Sequence, residues 1–302
     1  MKEKCIKRDF IYESGQAIVL VLLSLSVVLT IVLFVMSRSI TDISTSTNQA
    51  DSVRAFSAAE AGVENALVAG SNVASGVDGD KASYNAIVID IASGSKFFDY
   101  PIPLISGDTM TIWFVNHDSA TGSFICNVGS PCFTGNAFRV CWGNPGTPSD
   151  QDQTPAVEVS VYYETTPGDI STVQIARITF DPNDIRQSSN SFDAEGTGSC
   201  QNYAFTKTIN FATNFTPAIN VYSSDYGLIF AKVRMFYNTE ISHNIGVRVD
   251  VGDNSSRLPS QGKVISSTGK AGQSNRKVNV FQGWPEFPFS GMAIFSLPGI
   301  TK

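Results

Sequence analysis

The sequence predicts an α+β protein: a long N-terminal helix packed on a large antiparallel, β-rich head, sandwich-like in arrangement. Three observations carry this reading. Residues 16–36 form an apolar run without a single charge. Apolar and small residues then recur every three or four positions to about Ala69, the period of one helix face. From Thr109 onward the chain breaks into short segments of alternating character, each bounded by Gly, Pro, Asn, Asp or Ser.

The apolar run decides the class. At ~1.5 Å of rise per residue, about twenty residues cross a ~30 Å hydrocarbon core. A secretory signal has a shorter apolar core and a small-x-small cleavage site, and Ser37-Arg38-Ser39 makes a poor one. A buried helix of a soluble protein shows a polar face, which residues 17–36 lack. The expectation is a transmembrane span at 17–36. Ser24, Ser26 and Thr30 are compatible with it, because their hydroxyls can bond to a carbonyl one turn earlier. Lys2, Lys4, Lys7 and Arg8 precede the span, against Arg38 and Arg54 behind it. That asymmetry predicts a cytoplasmic N-terminus and an extracytoplasmic remainder.

Behind the span, Ile40, Ile43, Thr47, Ala50, Val53, Phe56, Ala59, Val63 and Ala66 form the stripe expected to face the head. Asp51 and Arg54 sit one turn apart and can pair weakly. The helix should end near Ala69-Gly70, where glycine supplies the C-terminal cap. Within it Ala58, Ala59, Glu60, Ala61 and Gly62 are mostly small, which lets helix backbones approach closely. Gly62 costs roughly 1 kcal/mol against alanine in mid-helix, so a close contact is expected there. A solvated, alanine-rich helix is the plain alternative, and Glu60 is expected to face solvent.

The organisation that follows is a charged leader at 1–15, a helix at 16–70 and a head at 71–302. About 230 residues lie beyond the helix, enough for a substantial core. Charged residues make up only 16% of the chain, and its net charge is −6. The leader's four basic and three acidic groups contribute +1, so the remainder carries −7. Such a balance argues against a general affinity for nucleic acid, which needs concentrated Lys and Arg.

Several of these features together resemble the type IV pilin-like proteins, in particular those with a PilX-type N-terminal domain. They are a charged leader ending in Gly15, an apolar helix starting at once, and Phe56-Ser57-Ala58-Ala59-Glu60-Ala61-Gly62-Val63-Glu64. The resemblance covers about residues 10–70; the segments 262–270 and 276–280 resemble the closing strands of such heads more weakly. It implies cleavage by a prepilin peptidase between Gly15 and Gln16. It also implies packing of the helix (Leu20 and residues 58–62) against other pilin-like subunits, and contact with an inner-membrane assembly machinery. Leu20 departs from the pattern. Major pilins carry glutamate at this fifth mature position, and some minor, tip-located subunits lack it. The implied function is a minor structural subunit that initiates, caps or decorates a surface filament. The alternative is a singly anchored envelope module that binds a ligand and never enters a filament.

In the head, strands are expected at 109–116, 156–164, 172–180, 203–211, 228–237 and 245–251. A final pair, 262–267 and 275–281, is joined through a loop at 268–272. Residues 71–108 are mixed, with one apolar run at 86–91. Cys5 lies in the leader; Cys126, Cys132, Cys141 and Cys200 remain, an even number that suits disulfides in an exported head. Of three pairings, Cys126–Cys132 with Cys141–Cys200 is favoured over free thiols. The spacings and the two histidines, His117 and His243, disfavour zinc. Catalytic motifs are missing, and neither enzymatic activity nor a cofactor is expected. Asp181, Asp184, Asp193 and Glu195 could offer oxygens to calcium but read better as a solvated loop. Lys263, Lys270, Arg276 and Lys277 gather near the last hairpin, and Trp113, Trp142 and Trp284 read as core.

Overall fold

The computed structural model describes residues 14–79, 81–118, 121–196, 200–251 and 256–286. One helix, α1 (Ser14–Ala69), occupies the whole N-terminal part of that range. It ends where the pattern places it: Gly70 takes a left-handed φ of +64° and its N–H donates to the Ala66 carbonyl at 2.9 Å. Only glycine enters that conformation without steric cost. By length and composition the helix can cross a membrane, and none of its apolar window is buried. Hydroxyls along it turn inward to their own backbone: Ser24 to Val21 O at 2.9 Å, Ser26 to Leu23 O at 2.8 Å and Thr30 to Ser26 O at 2.7 Å.

The described chain falls into two compact units. The first holds the helix through Gly62 together with residues 74–85 and 267–278. The second holds, of the described residues, those in 63–73, 86–266 and 279–286.

A four-stranded sheet has the order β1 (Val73–Val77), β2 (Ala82–Asp90), β14 (Gly262–Ala271), β15 (Ser274–Gly283). Residues 86–90 of the apolar run thus belong to β2, whose burial alternates over 82–87 as a one-faced strand requires, and Ile91 lies just past its end. The last hairpin is longer than the sequence suggested. Residues 268–271, expected as loop, continue β14, and only Gly272 and Gln273 make the turn. Gly272 has a φ of +51°, which suits a tight two-residue connection. Gly269 is a strand residue, glycine because the helix at its back leaves no room for a side chain.

The second unit contains a sandwich. Its larger sheet has the order β10 (Asp193–Ala194), β9 (Val173–Asp181), β8 (Ala156–Glu164), β12 (Leu228–Phe236), β4 (Thr109–Trp113). The other runs β11 (Phe205–Asn210), β7 (Ala137–Trp142), β13 (Ile245–Arg248), β3 (Phe97–Asp99). Pairings in both are antiparallel, except that β10 lies parallel to β9. Val157, Val159, Val161 and Tyr163 of β8 share one buried core with Met110, Ile112, Phe138, Val140, Trp142, Ile209 and Val247. The period-2 reading of β8 therefore names its core face directly.

In β4 the alternation stops. Trp113, Phe114 and Val115 are all buried, because the outer face of the larger sheet carries a second apolar cluster of Trp113, Val115, Ile229 and Phe230. A small ribbon of β5 (Asn116–His117) and β6 (Phe124–Ile125) lies beside it in sequence and supplies Phe124 to that cluster.

Candidate functional site

The feature that separates this chain from an ordinary sandwich is α1, and it has two kinds of surface. Over 17–36 every apolar side chain is exposed, Leu20 among them at 66%. Gly15 and Gln16 lie in the first turns of the helix, which begins one residue before Gly15.

From Ala55 the helix acquires a covered face of Ala55, Ala58, Ala59, Gly62, Val63 and Ala66. This corrects the stripe read from the sequence. Ala59, Val63 and Ala66 belong to it, but Val53 (66% exposed) and Phe56 (47% exposed) do not. The face that meets the sheet is the small-residue one, turned away from the bulky apolar positions. Backbone proximity explains the choice. A Cβ on Gly269 of β14 would run into Ala55 O and lie 2.5 Å from Ala59 N. A Cβ on Gly62 would strike Ser267 Oγ and lie 2.8 Å from Tyr84 Cδ2. At Gly269 helix and strand backbones approach at a separation that only glycine on the strand permits, while at Gly62 the side chains of Ser267 and Tyr84 fill the space a Cβ would take.

Polar contacts frame this seat. Arg276 of β15 donates from Nε and Nη2 to Ser52 Oγ at 2.9 and 2.6 Å. Arg54 stands 3.5 Å from Asp51 and 3.8 Å from Asp78. Of the residues singled out in the helix, Ala58, Ala59 and Gly62 face the chain's own sheet, Glu60 is exposed and Ala61 is half-buried. The large exposed apolar side chains of α1 beyond the span are Ile40, Ile43, Val53, Phe56, Leu67 and Val68.

Cysteines in the head lie in two pairs at disulfide distance: Cys126 with Cys132 (Cα–Cα 5.2 Å) and Cys141 with Cys200 (Cα–Cα 6.0 Å). The first closes the loop beside β6; the second joins β7 to the segment ahead of β11.

The acidic residues considered for calcium do not gather. Asp181 is fully buried and paired with Arg186 at 2.7 Å. Asp184 and Asp193 are exposed, and burial raises the Glu195 carboxyl. Among the described residues no three His, Cys, Asp or Glu side chains are placed to hold a metal. Burial would raise Asp181 too, but hydrogen bonds from Arg186, the Asn183 N–H and Asn190 outweigh it and hold this carboxyl below its ordinary value. Arg186 starts from α2 (Asp184–Asn190), which is capped by the Asn183 side chain. Its guanidinium lies 3.8 Å from the centre of the Tyr237 ring and donates to the carbonyls of Asp152 and Thr154.

Asp152 and Thr154 also border a cleft of about 570 Å³ lined by residues 144–148, 150–154, Ile241 and His243. Its lining holds Asp150 and Asp152 and neither Lys nor Arg. Buried His243, its pKa lowered by that burial, accepts from the Asn144 N–H at Nδ1 (3.1 Å). It therefore braces the rim.

His117 is different. It is buried in aromatic rings, with neither ring nitrogen hydrogen-bonded, and burial lowers its pKa to about 4. The rings are Trp113 (4.4 Å, edge-on), Phe124 (5.3 Å) and Trp284, which stacks flat on it at 4.7 Å. Trp113 and Trp142 are fully buried and Trp284 is half-buried. Sequence reasoning had no signal for this cluster: Trp113, His117 and Phe124 are near one another in the chain, but Trp284, which stacks on the histidine, comes from far away in sequence.

No protein-family model, curated protein or solved structure matches the chain.

Proposed function

We propose that this chain is a minor, pilin-like structural subunit: an envelope protein anchored by α1, with its N-terminus cytoplasmic and its head exported, that initiates, caps or decorates a surface filament. The observation that carries the reading is the division of one continuous helix. Its first part is apolar and uncovered, and its last turns, from Ala55, are seated on the chain's own sheet through alanine and glycine. An uncovered apolar rod suits lipid before assembly and other helices after it. The Gly15–Gln16 boundary suits removal of the leader, and the paired cysteines suit an oxidising compartment. Leu20 fits a minor subunit better than a bulk one, because a carboxylate in hydrocarbon is costly unless paired.

N-terminal sequencing of protein from sheared surface filaments tests the proposal. A start at Gln16 supports it; an intact Met1 in filaments, or a soluble product starting beyond Met36, refutes it. Gly15→Trp should leave an uncleaved precursor that inserts but stays out of filaments.

A second reading is favoured by the cleft beside His243: a singly anchored module whose head binds a ligand without assembling. Absence of the protein from the sheared fraction, with the whole amount retained in membranes, would select it.

A further inference from the structure

Residues 284–286, just beyond β15, lie as a strap on the outer face of the larger sheet, and two of their side chains fit there as a ligand fits a site. Trp284 stacks on His117 with an interplanar angle of 9°, and its indole N–H donates to Ser260 O at 3.0 Å. Lys263 Nζ lies 5.9 Å from the centre of the same indole. Two residues on, Glu286 accepts from Lys232 Nζ at 2.5 Å and from Thr111 Oγ1. Thr111 and Lys232 are direct partners across β4 and β12, so the carboxylate sits on one rung of the sheet.

The receptor is built without the strap. Gln261 fixes Trp113 by accepting from its N–H at 2.8 Å and donating to its carbonyl at 2.9 Å, as a neighbouring strand would. Phe230 packs on Trp113 at 5.0 Å and on Tyr162 at 4.2 Å. The Lys232 side chain is only 9% exposed, and Glu286 is its ion-pair partner among the described residues. An ammonium buried this far needs an anion beside it. The groove thus selects an extended segment with an aromatic ring and, two residues later, a carboxylate.

We propose that this groove is an exchange site, which the Trp284-Pro285-Glu286 segment of a second copy of the chain enters when copies are crowded together. That is the one sequence seen to fit the groove, and every copy carries it. Pro285 keeps it extended in whichever chain receives it. Exchange replaces each contact within a chain by the same contact between chains, so it requires no new surface. A strap on a short tether competes at an effective concentration of roughly millimolar. Exchange therefore belongs to dense arrays and not to dilute protein. The inference does not depend on the filament reading.

Two variants with complementary defects test it, each as the full chain in lipid nanodiscs. W284A/E286A keeps the groove and lacks the strap residues; H117L/K232M keeps the strap and lacks the groove. With donor and acceptor dyes on the two heads, the mixture should give more energy transfer than either variant alone at equal density. The variants alone report whatever association the helices provide. Near-UV circular dichroism and the non-reduced mass establish that both are folded. In the otherwise native chain, a photo-crosslinking residue at position 284 should join two chains through the peptide that contains His117. Energy transfer in the mixture no greater than in the separate variants, or crosslinks confined to single chains at the highest density, overturns the proposal.

Discussion

Gly269 in β14 lies directly against the carbonyl oxygen of Ala55 on α1, with no room for a side-chain carbon between them. This contact fixes how close the helix can come to its sheet. Gly269→Ala should therefore cost about 1–3 kcal/mol, the range for an overpacked core. Hydrogen exchange should locate the loss in residues 51–62. Gly129→Ala, where a new Cβ would sit 3.5 Å from Asn127 Oδ1, is the control and should stay near wild type.

Arg186→Ala removes the cation that faces the buried Asp181 carboxylate. Breaking such a pair from one side costs about 3–5 kcal/mol. Arg54→Ala at the half-exposed pair with Asp51 should cost less than about 1 kcal/mol. Chemical denaturation of the two variants gives the comparison, and equal midpoints would refute it.

The state of His117 makes stability depend on pH in a definite direction. Its folded pKa is about 4 against an ordinary 6.5. The unfolded chain therefore binds the proton first, and stability from this group falls as the pH drops from 6.5 toward 4. Above 6.5 the contribution is complete, and below 4 it changes no further. His117→Phe keeps a ring against Trp113 and Trp284 but cannot titrate. Its thermal midpoint should fall less over that window than that of wild type.

Removing the two disulfides should not be equivalent. Cys141–Cys200 spans 59 positions and Cys126–Cys132 spans 6. The chain-entropy relation gives about 4 kcal/mol for the longer loop and about 2 kcal/mol for the shorter. Replacing the first pair by serine should lower the unfolding midpoint more than replacing the second.

The legible parts of the fold were those written locally. The apolar run, the helix cap at Gly70 and the core face of β8 each follow from a period or a single residue. What was missed depends on partners distant in sequence. The covered helix face was read toward Val53 and Phe56 because bulk normally marks a core. A strand glycine at position 269 reversed that preference, and nothing near position 55 announces it. Residues 268–271 looked like a loop for the same reason. The ring cluster around His117 draws on positions 113, 117, 124 and 284, which no periodicity connects.

The hydroxyls of α1 have a consequence beyond the span they interrupt. Ser24, Ser26 and Thr30, and beyond the span Thr41, Thr45 and Thr47, each bond to a carbonyl of their own helix. At these six positions the helix backbone itself accepts the hydroxyl proton, so none of them needs an acceptor from the surroundings. Whatever lies beside the helix there, lipid or water, meets no unbonded hydroxyl proton at those six positions.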